Sequence, residues 1–179
     1  DRSSAASDVY KRQWVDALVM RGADLLLAFP ALLLAIIAGA VWGPSTLTAM
    51  VAIGIAGIPS FARVARSGTL QVITQDFISS ARISAVPGWK VALRHILPNL
   101  TGLLIVQASV YFALAILAEA GLSYLGLGTA PPAASWGRML QDSQSLLGTA
   151  PLQAFWPGLA IAATVLGFNP VSYTHLTLP

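Results

Sequence analysis

The chain has 179 residues, of which 56% are hydrophobic and only 9% charged, and its mean hydropathy is +0.72. A soluble domain carries about 25% charged residues, so this chain has too little polar surface to cover a soluble core, and it reads as an all-α integral membrane protein. The net charge of +3 comes from basic residues gathered at the ends of apolar segments, which orientation in a lipid bilayer explains better than nucleic acid, and the lack of cysteine excludes disulfides, thiolate metal sites and cysteine nucleophiles.

In chain order, residues 1–13 (DRSSAASDVYKRQ) are polar and aperiodic and do not match the apolar segments beyond them. Residues 170–179 break off from an apolar segment just as abruptly. Both ends read as non-native tails, with an ordinary terminal tail as the alternative. No function is placed on Tyr10 or His175, and residues 14–169 are taken as the membrane domain. Residues 14–24 form an amphipathic lead-in, where Arg21 and Asp24 are spaced to pair on one helix face. Residues 25–42 (LLLAFPALLLAIIAGAVW) are the first span, reaching about 27 Å as a helix. Pro30 predicts a kink inside it.

Gly43-Pro44-Ser45 predicts a tight turn. Residues 46–62 are the second span. Gly54, Gly57 and Pro59 within it predict either a bent, locally unwound segment or close helix packing through small residues. Residues 96–118 are the third span, with Pro98 near its start, where a missing amide hydrogen costs little. Its mid-span polar groups, Gln107 and Ser109, suit hydrogen bonds between helices or a water-filled path. Residues 121–150 are rich in Gly and Pro and so in turns. There Ser135 reads as an N-cap, followed by a short amphipathic helix with Trp136, Met139, Leu140 and Leu147 on one face, lying at the membrane interface. Residues 152–168 are the fourth span.

Residues 63–94 carry Arg63, Arg66, Arg82, Lys90 and Arg94 against one acid, Asp76, whereas 119–151 hold Glu119, Arg138 and Asp142. The positive-inside rule therefore puts 63–94 in the cytoplasm and 119–151 outside. Signals of catalysis are absent. The chain has no phosphate-binding G-x-x-x-x-G-K-[ST] loop and no cluster with metal-ligand spacing, and it implies no cofactor. Glu119, near the outer end of the third span, is either a functional acid or a helix-end packing residue.

The one long polar interruption is residues 76–98, DFISSARISAVPGWKVALRHILP. Its first part suits a short helix with Phe77, Ala81 and Ser84 on one side. Pro87-Gly88 breaks that helix, and a second one restarts at Trp89 and feeds the third span. A compact two-helix loop is stiff enough to transmit force.

This loop resembles the EAA loop of ABC importer permeases. Ser79-Ser80-Ala81 stands at the E-A-A positions, Ala85 at the family's glycine and Leu97-Pro98 at its L-P; Arg82 and the run Arg94-His95-Ile96-Leu97-Pro98-Asn99 match well. The loop's glutamate and glycine are replaced here by Ser79 and Ala85. Asp16, Arg21 and Asp24 followed by Ala28-Phe29-Pro30 resemble the start of the third span in dipeptide/oligopeptide/nickel-type permeases. Leu122-Ser123-Tyr124-Leu125-Gly126-Leu127-Gly128, Pro131-Pro132 and Ser135-Trp136-Gly137-x-Met139-Leu140 resemble that subfamily's outside loop. The resemblance implies about four helices of a six-helix type I permease, with two N-terminal spans lying beyond this sequence. It also implies a multi-pass plasma-membrane subunit of a bacterium or archaeon. The partners implied are a second permease subunit, two cytoplasmic ABC ATPase subunits on the coupling loop and an extracytoplasmic solute-binding protein. The solute is a di- or oligopeptide, with nickel or another small solute as the alternative. A secondary transporter or channel working without an ATPase is the competing class.

Overall fold

The computed structural model describes residues 2–168. Eight α-helices succeed one another within them: α1 (Arg2–Leu27), α2 (Ala31–Trp42), α3 (Thr46–Val72), α4 (Asp76–Ile83), α5 (Gly88–Val91), α6 (Leu97–Tyr124), α7 (Trp136–Ser143) and α8 (Leu152–Phe168). A π-turn, Ala92–Ile96, joins α5 to α6, and a 3-10 turn, Gln144–Leu146, comes after α7. Two helices are long and apolar enough to cross a membrane: Thr46–Val72, and the continuous Gly88–Tyr124. The pair Asp16–Leu27 and Ala31–Trp42 makes a third candidate if counted as one span, and Leu152–Phe168 is a shorter apolar helix. The tail assigned to 170–179 lies outside the described residues, while 2–13 continue the backbone of α1.

The single span expected at 25–42 is broken. α1 stops at Leu27 and α2 starts after Pro30, with 79° between them. Proline disfavours the helical region for the residue before it, here Phe29, and its ring crowds the preceding turn. Pro30 then serves as the N-cap of α2 (φ −57°, ψ 134°), where a missing N–H costs nothing. The 43–45 turn forms as expected. Gly43 takes φ +88°, and the Ser45 hydroxyl accepts from the Thr48 amide at 3.1 Å, capping α3.

α3 runs unbroken through Gly54, Gly57 and Pro59 and on past Arg63 and Arg66, so the alternative of an unwound segment falls away. The small residues serve close packing instead. A Cβ on Gly57 would collide with the Tyr111 ring, and one on Gly68 would meet Leu100 at 2.6 Å. Tyr111 also donates its hydroxyl to the Ile53 carbonyl at 2.5 Å and meets Phe61 edge-on at 5.7 Å. The helix outlasts its apolar part because Arg63 and Arg66 find partners in α1, Asp24 and Asp16 respectively. Asp24 therefore pairs across helices, and not with Arg21 three residues away.

The core is built from small side chains: Ala35, Ala38, Ala49 and Ala52, with Ile53 and Leu122. The large apolar groups face outward, as with Trp42 (76% exposed) and Leu47 (73%). This inverts the rule for a soluble fold and suits lipid, where helices attract one another by close approach and not by hydrophobicity. Ser109, expected between helices, bonds back to Ile105 O of its own helix at 3.0 Å. Between α6 and α3 it is Tyr111 that makes a polar contact.

Replacing Gly57 with Val forces the Tyr111 ring off α3 and breaks its bond to Ile53, at a cost of about 1–3 kcal/mol. Tyr111→Phe removes only the hydrogen bond and costs roughly 0.5–1.5 kcal/mol. Unfolding midpoints in detergent should rank wild type, Tyr111→Phe and Gly57→Val in that descending order.

Candidate functional site

The loop at 76–98 folds as the two-helix unit its sequence implies. Gln75 O accepts from the amides of Ile78 and Ser79, which starts α4, and Asp76 places its negative charge in the first turn, where the helix dipole favours it. Ile78 is fully buried and anchors the helix, although nothing in the residue pattern singled it out. Phe77 is half-exposed and packs against the His95 ring at 6.4 Å, which ties α4 to the π-turn. Ser80 and Ser84 lie on the exposed side and bond back along the helix, to Asp76 O and Ser80 O, both at 3.0 Å. Ser79 is exposed, Ala81 half-buried, and Arg82 belongs to the same helix.

Ala85 takes φ +53°, the left-handed region. The Val86 amide reaches back to Ala81 O at 3.2 Å. That six-to-one bond around a left-handed residue is a Schellman stop, and it normally uses glycine. The glycine of the EAA pattern thus has a local physical reason, since Ala85 holds the same conformation against its own Cβ at a cost of about 1–2 kcal/mol. Pro87 then caps α5, its carbonyl accepting from Lys90 and Val91 at 2.9 and 3.1 Å, with Gly88 as the first helical residue.

Pro98 is the second residue of α6, near the start of that helix as expected, although the continuous helical run begins earlier, at Gly88. The π-turn directly before it absorbs the misfit: the Leu97 amide bonds to Ala92 O, five residues back. Asn99 donates its side-chain amide to His95 O at 2.6 Å. Arg94 and Leu97 are exposed on this junction. Sequence reasoning missed the loop's exposed apolar groups, Ile83 (87%) and Trp89 (64%), with Lys90 Nζ 5.5 Å from the Trp89 ring centre.

The second expected site, at the far end of α6, is a polar cap. Glu119 Oε1 accepts from Ser123 Oγ at 2.6 Å and from Thr129 Oγ1 at 2.9 Å. Ser123 Oγ accepts the Thr129 amide at 2.9 Å, and Thr46 Oγ1 meets Thr129 Oγ1 at 2.8 Å. The network joins α6, the loop after it and the start of α3. Gly126 (φ +78°) makes the stop of α6, with Leu127 N to Leu122 O at 2.8 Å and Gly126 N to Ser123 O at 3.1 Å. A Cβ on Gly128 would strike Ser123. Pro131 and Pro132 are exposed in the loop.

Ser135 caps α7 as expected, accepting the Arg138 amide at 3.2 Å. Of the expected apolar face, Trp136 and Met139 are exposed and Leu147 lies beyond the helix, while Gly137 and Ser143 are the buried residues. A Cβ on Gly137 would collide with the Ala120 carbonyl, so α7 docks on α6 through its smallest residue.

Among the described residues, no group of three or more His, Cys, Asp or Glu is placed to hold a metal ion. An all-helical bundle with a small-residue core and an apolar exterior suits a multi-pass membrane protein. The chain belongs to the family of binding-protein-dependent transport system inner membrane components, whose profile matches residues 3–176. It is 41% identical over 162 residues to the dipeptide transport system permease protein DppC of Alkalihalophilus pseudofirmus, covering 90% of this chain and 53% of that protein. It is 41% identical over 160 residues to the glutathione transport system permease protein GsiD of Pectobacterium atrosepticum, and 42% over 160 to GsiD of Escherichia coli O6:K15:H31, in both cases 89% of this chain and 53% of the relative. The chain thus spans about half the length of these relatives. Membership bears out the resemblance read from the loop and the outer motif.

Ala85→Gly removes the Cβ penalty at the α4 stop and should stabilise that stop by about 1 kcal/mol. Slower amide exchange at Ser84 and Val86 measures it, and Ala85→Val should speed the same exchange.

Proposed function

We propose that this chain forms part of the permease subunit of an ATP-driven importer for di- or oligopeptides. The observation that carries the reading is the two-helix α4–α5 unit, with its Schellman stop, which leaves Ile83 and Trp89 exposed beside a π-turn leading straight into the apolar α6. An exposed isoleucine and tryptophan on a polar loop suit a protein partner, since such side chains anchor interfaces. Relatives named for dipeptides and for glutathione, itself a tripeptide, support peptides as the solute class.

In this reading two cytoplasmic ATPase subunits hold the loop from Asp76 to Gly88. A second permease subunit completes the path, and an extracytoplasmic binding protein delivers the solute. ATP binding draws the ATPases together and tilts α4. The junction from Arg94 to Asn99 passes that tilt to α6 and switches the path from inward-open to outward-open, and hydrolysis on the ATPases resets it. The permease does no covalent chemistry. The basic residues of 63–94 favour a cytoplasmic position for the loop and an outside position for 119–151. Residues 14–169 are the permease domain.

Ile83→Asp tests the docking role without touching the packed interior. ATPase co-purifying with the full permease should fall by about tenfold or more, as for loss of an interface anchor, while membrane insertion stays normal. Retained co-purification with normal ATP-dependent uptake overturns the role of the loop. Uptake by the permease with no ATPase present overturns the importer reading.

A further inference from the structure

A cavity of about 390 Å³ lies between α3, α6 and the segment leading into α7. Met50, Ile53, Phe112 and Trp136 give it apolar walls, and Thr46, Glu119 and Thr129 form its polar part. Ligand pockets typically run from about 300 to 1,000 Å³ with a few placed polar groups, so this one has room for a small ligand.

Glu119 is the acid of that cavity. The directions of the bonds around it are fixed by counting protons. Thr129 gives its single hydroxyl proton to Glu119 Oε1, so in the contact between the two threonines Thr46 is the donor. Ser123 gives its proton to the same Oε1 and takes the Thr129 amide. Both chains of donors end on one carboxylate oxygen. The other, Oε2, accepts nothing among the described residues. The ion pairs among the described residues join Arg63 to Asp24, Arg66 to Asp16 and Arg138 to Asp142, and none includes Glu119. An acid in an apolar membrane helix is costly and calls for a counter-charge. Here the protein orients the acid through Oε1 and supplies no cation to Oε2.

We propose that this cavity is a subsite for the ammonium group of a transported ligand, with Glu119 as its counter-charge and Phe112 and Trp136 as apolar and cation–π walls. The inference rests on the importer reading, in which the ammonium is the amino terminus of a peptide. Ser123 and Thr129 are positioning residues, since they hold the carboxylate and act through it.

The test uses the assembled transporter in nanodiscs of phosphatidylcholine and phosphatidylglycerol, lipids that bring no primary ammonium of their own. Binding of Ala-Ala, N-acetyl-Ala-Ala and n-butylammonium is read by ligand-observed NMR. Wild type should bind Ala-Ala at least about tenfold more tightly than its N-acetyl form, the share of one charge-assisted hydrogen bond. Glu119→Gln keeps an acceptor for both hydroxyls. It should erase that preference and weaken n-butylammonium by a similar factor, with an unchanged unfolding midpoint. Wild type that binds Ala-Ala and N-acetyl-Ala-Ala alike overturns the proposal whatever the variant does. A variant that weakens all three probes equally also overturns it, because Glu119 is then only structural. ATP-driven uptake of Ala-Ala is measured separately. If wild type takes up no peptide, the peptide reading fails, and n-butylammonium binding by wild type against Glu119→Gln still decides the subsite.

Discussion

The contact between Gly57 and the ring of Tyr111 governs the arrangement of the bundle. Lipid offers helices no hydrophobic reason to associate, so contact depth and polar bonds must hold them together. With no side chain at Gly57, Tyr111 lies against α3 and its hydroxyl reaches the Ile53 carbonyl. Once α3 and α6 are fixed at that depth, the start of α3 brings Thr46 to Thr129, and the lower half of α3 brings Gly68 onto Leu100. The alanine core and the polar cap both depend on this spacing. Removing the glycine would therefore disturb features at both ends of the helix pair.

The two helix stops flanking the α5–α6 unit use one device with different residues. Gly126 ends α6 in the left-handed region at no steric cost, and the loop after it folds back tightly enough to bury Ser123 and Thr129. Ala85 ends α4 in the same way but against its own side chain. The stop at Gly126 is thus locally relaxed and the one at Ala85 locally strained.

Local features were legible in the sequence. The 43–45 turn, the Pro87-Gly88 break, the Ser135 cap and the extent of α8 each arise from residues within one turn of the feature. Partnerships across the chain were not. Asp24 has a basic residue three positions away, yet it pairs with Arg63, 39 residues on. Ser109 offered a bond to another helix and donates to its own. The prolines divide on the same line. Pro59 is carried inside a continuous helix, Pro30 splits one by 79°, and Pro98 is absorbed by a π-turn. The same residue gives three outcomes because neighbouring helices decide whether its lost bond is replaced. The family was readable from the loop's motif, but the loop's exposed surface at Ile83 and Trp89 needed the fold.

The π-turn has a consequence for helical phase. Each residue of an α-helix advances the face by about 100°, and a π-turn holds one residue more than the α-helix it interrupts. Across Ala92–Ile96 the faces of α5 and α6 are therefore offset by about a quarter-turn from where an unbroken helix would set them. Trp89 and Lys90 owe their bearing relative to Leu100 and Tyr111 to that single extra residue. Tightening the turn to α geometry would not lengthen or shorten the span appreciably; it would rotate the loop about the axis of α6. The π-turn thus sets the rotational phase between the loop and α6 inside one continuous helix.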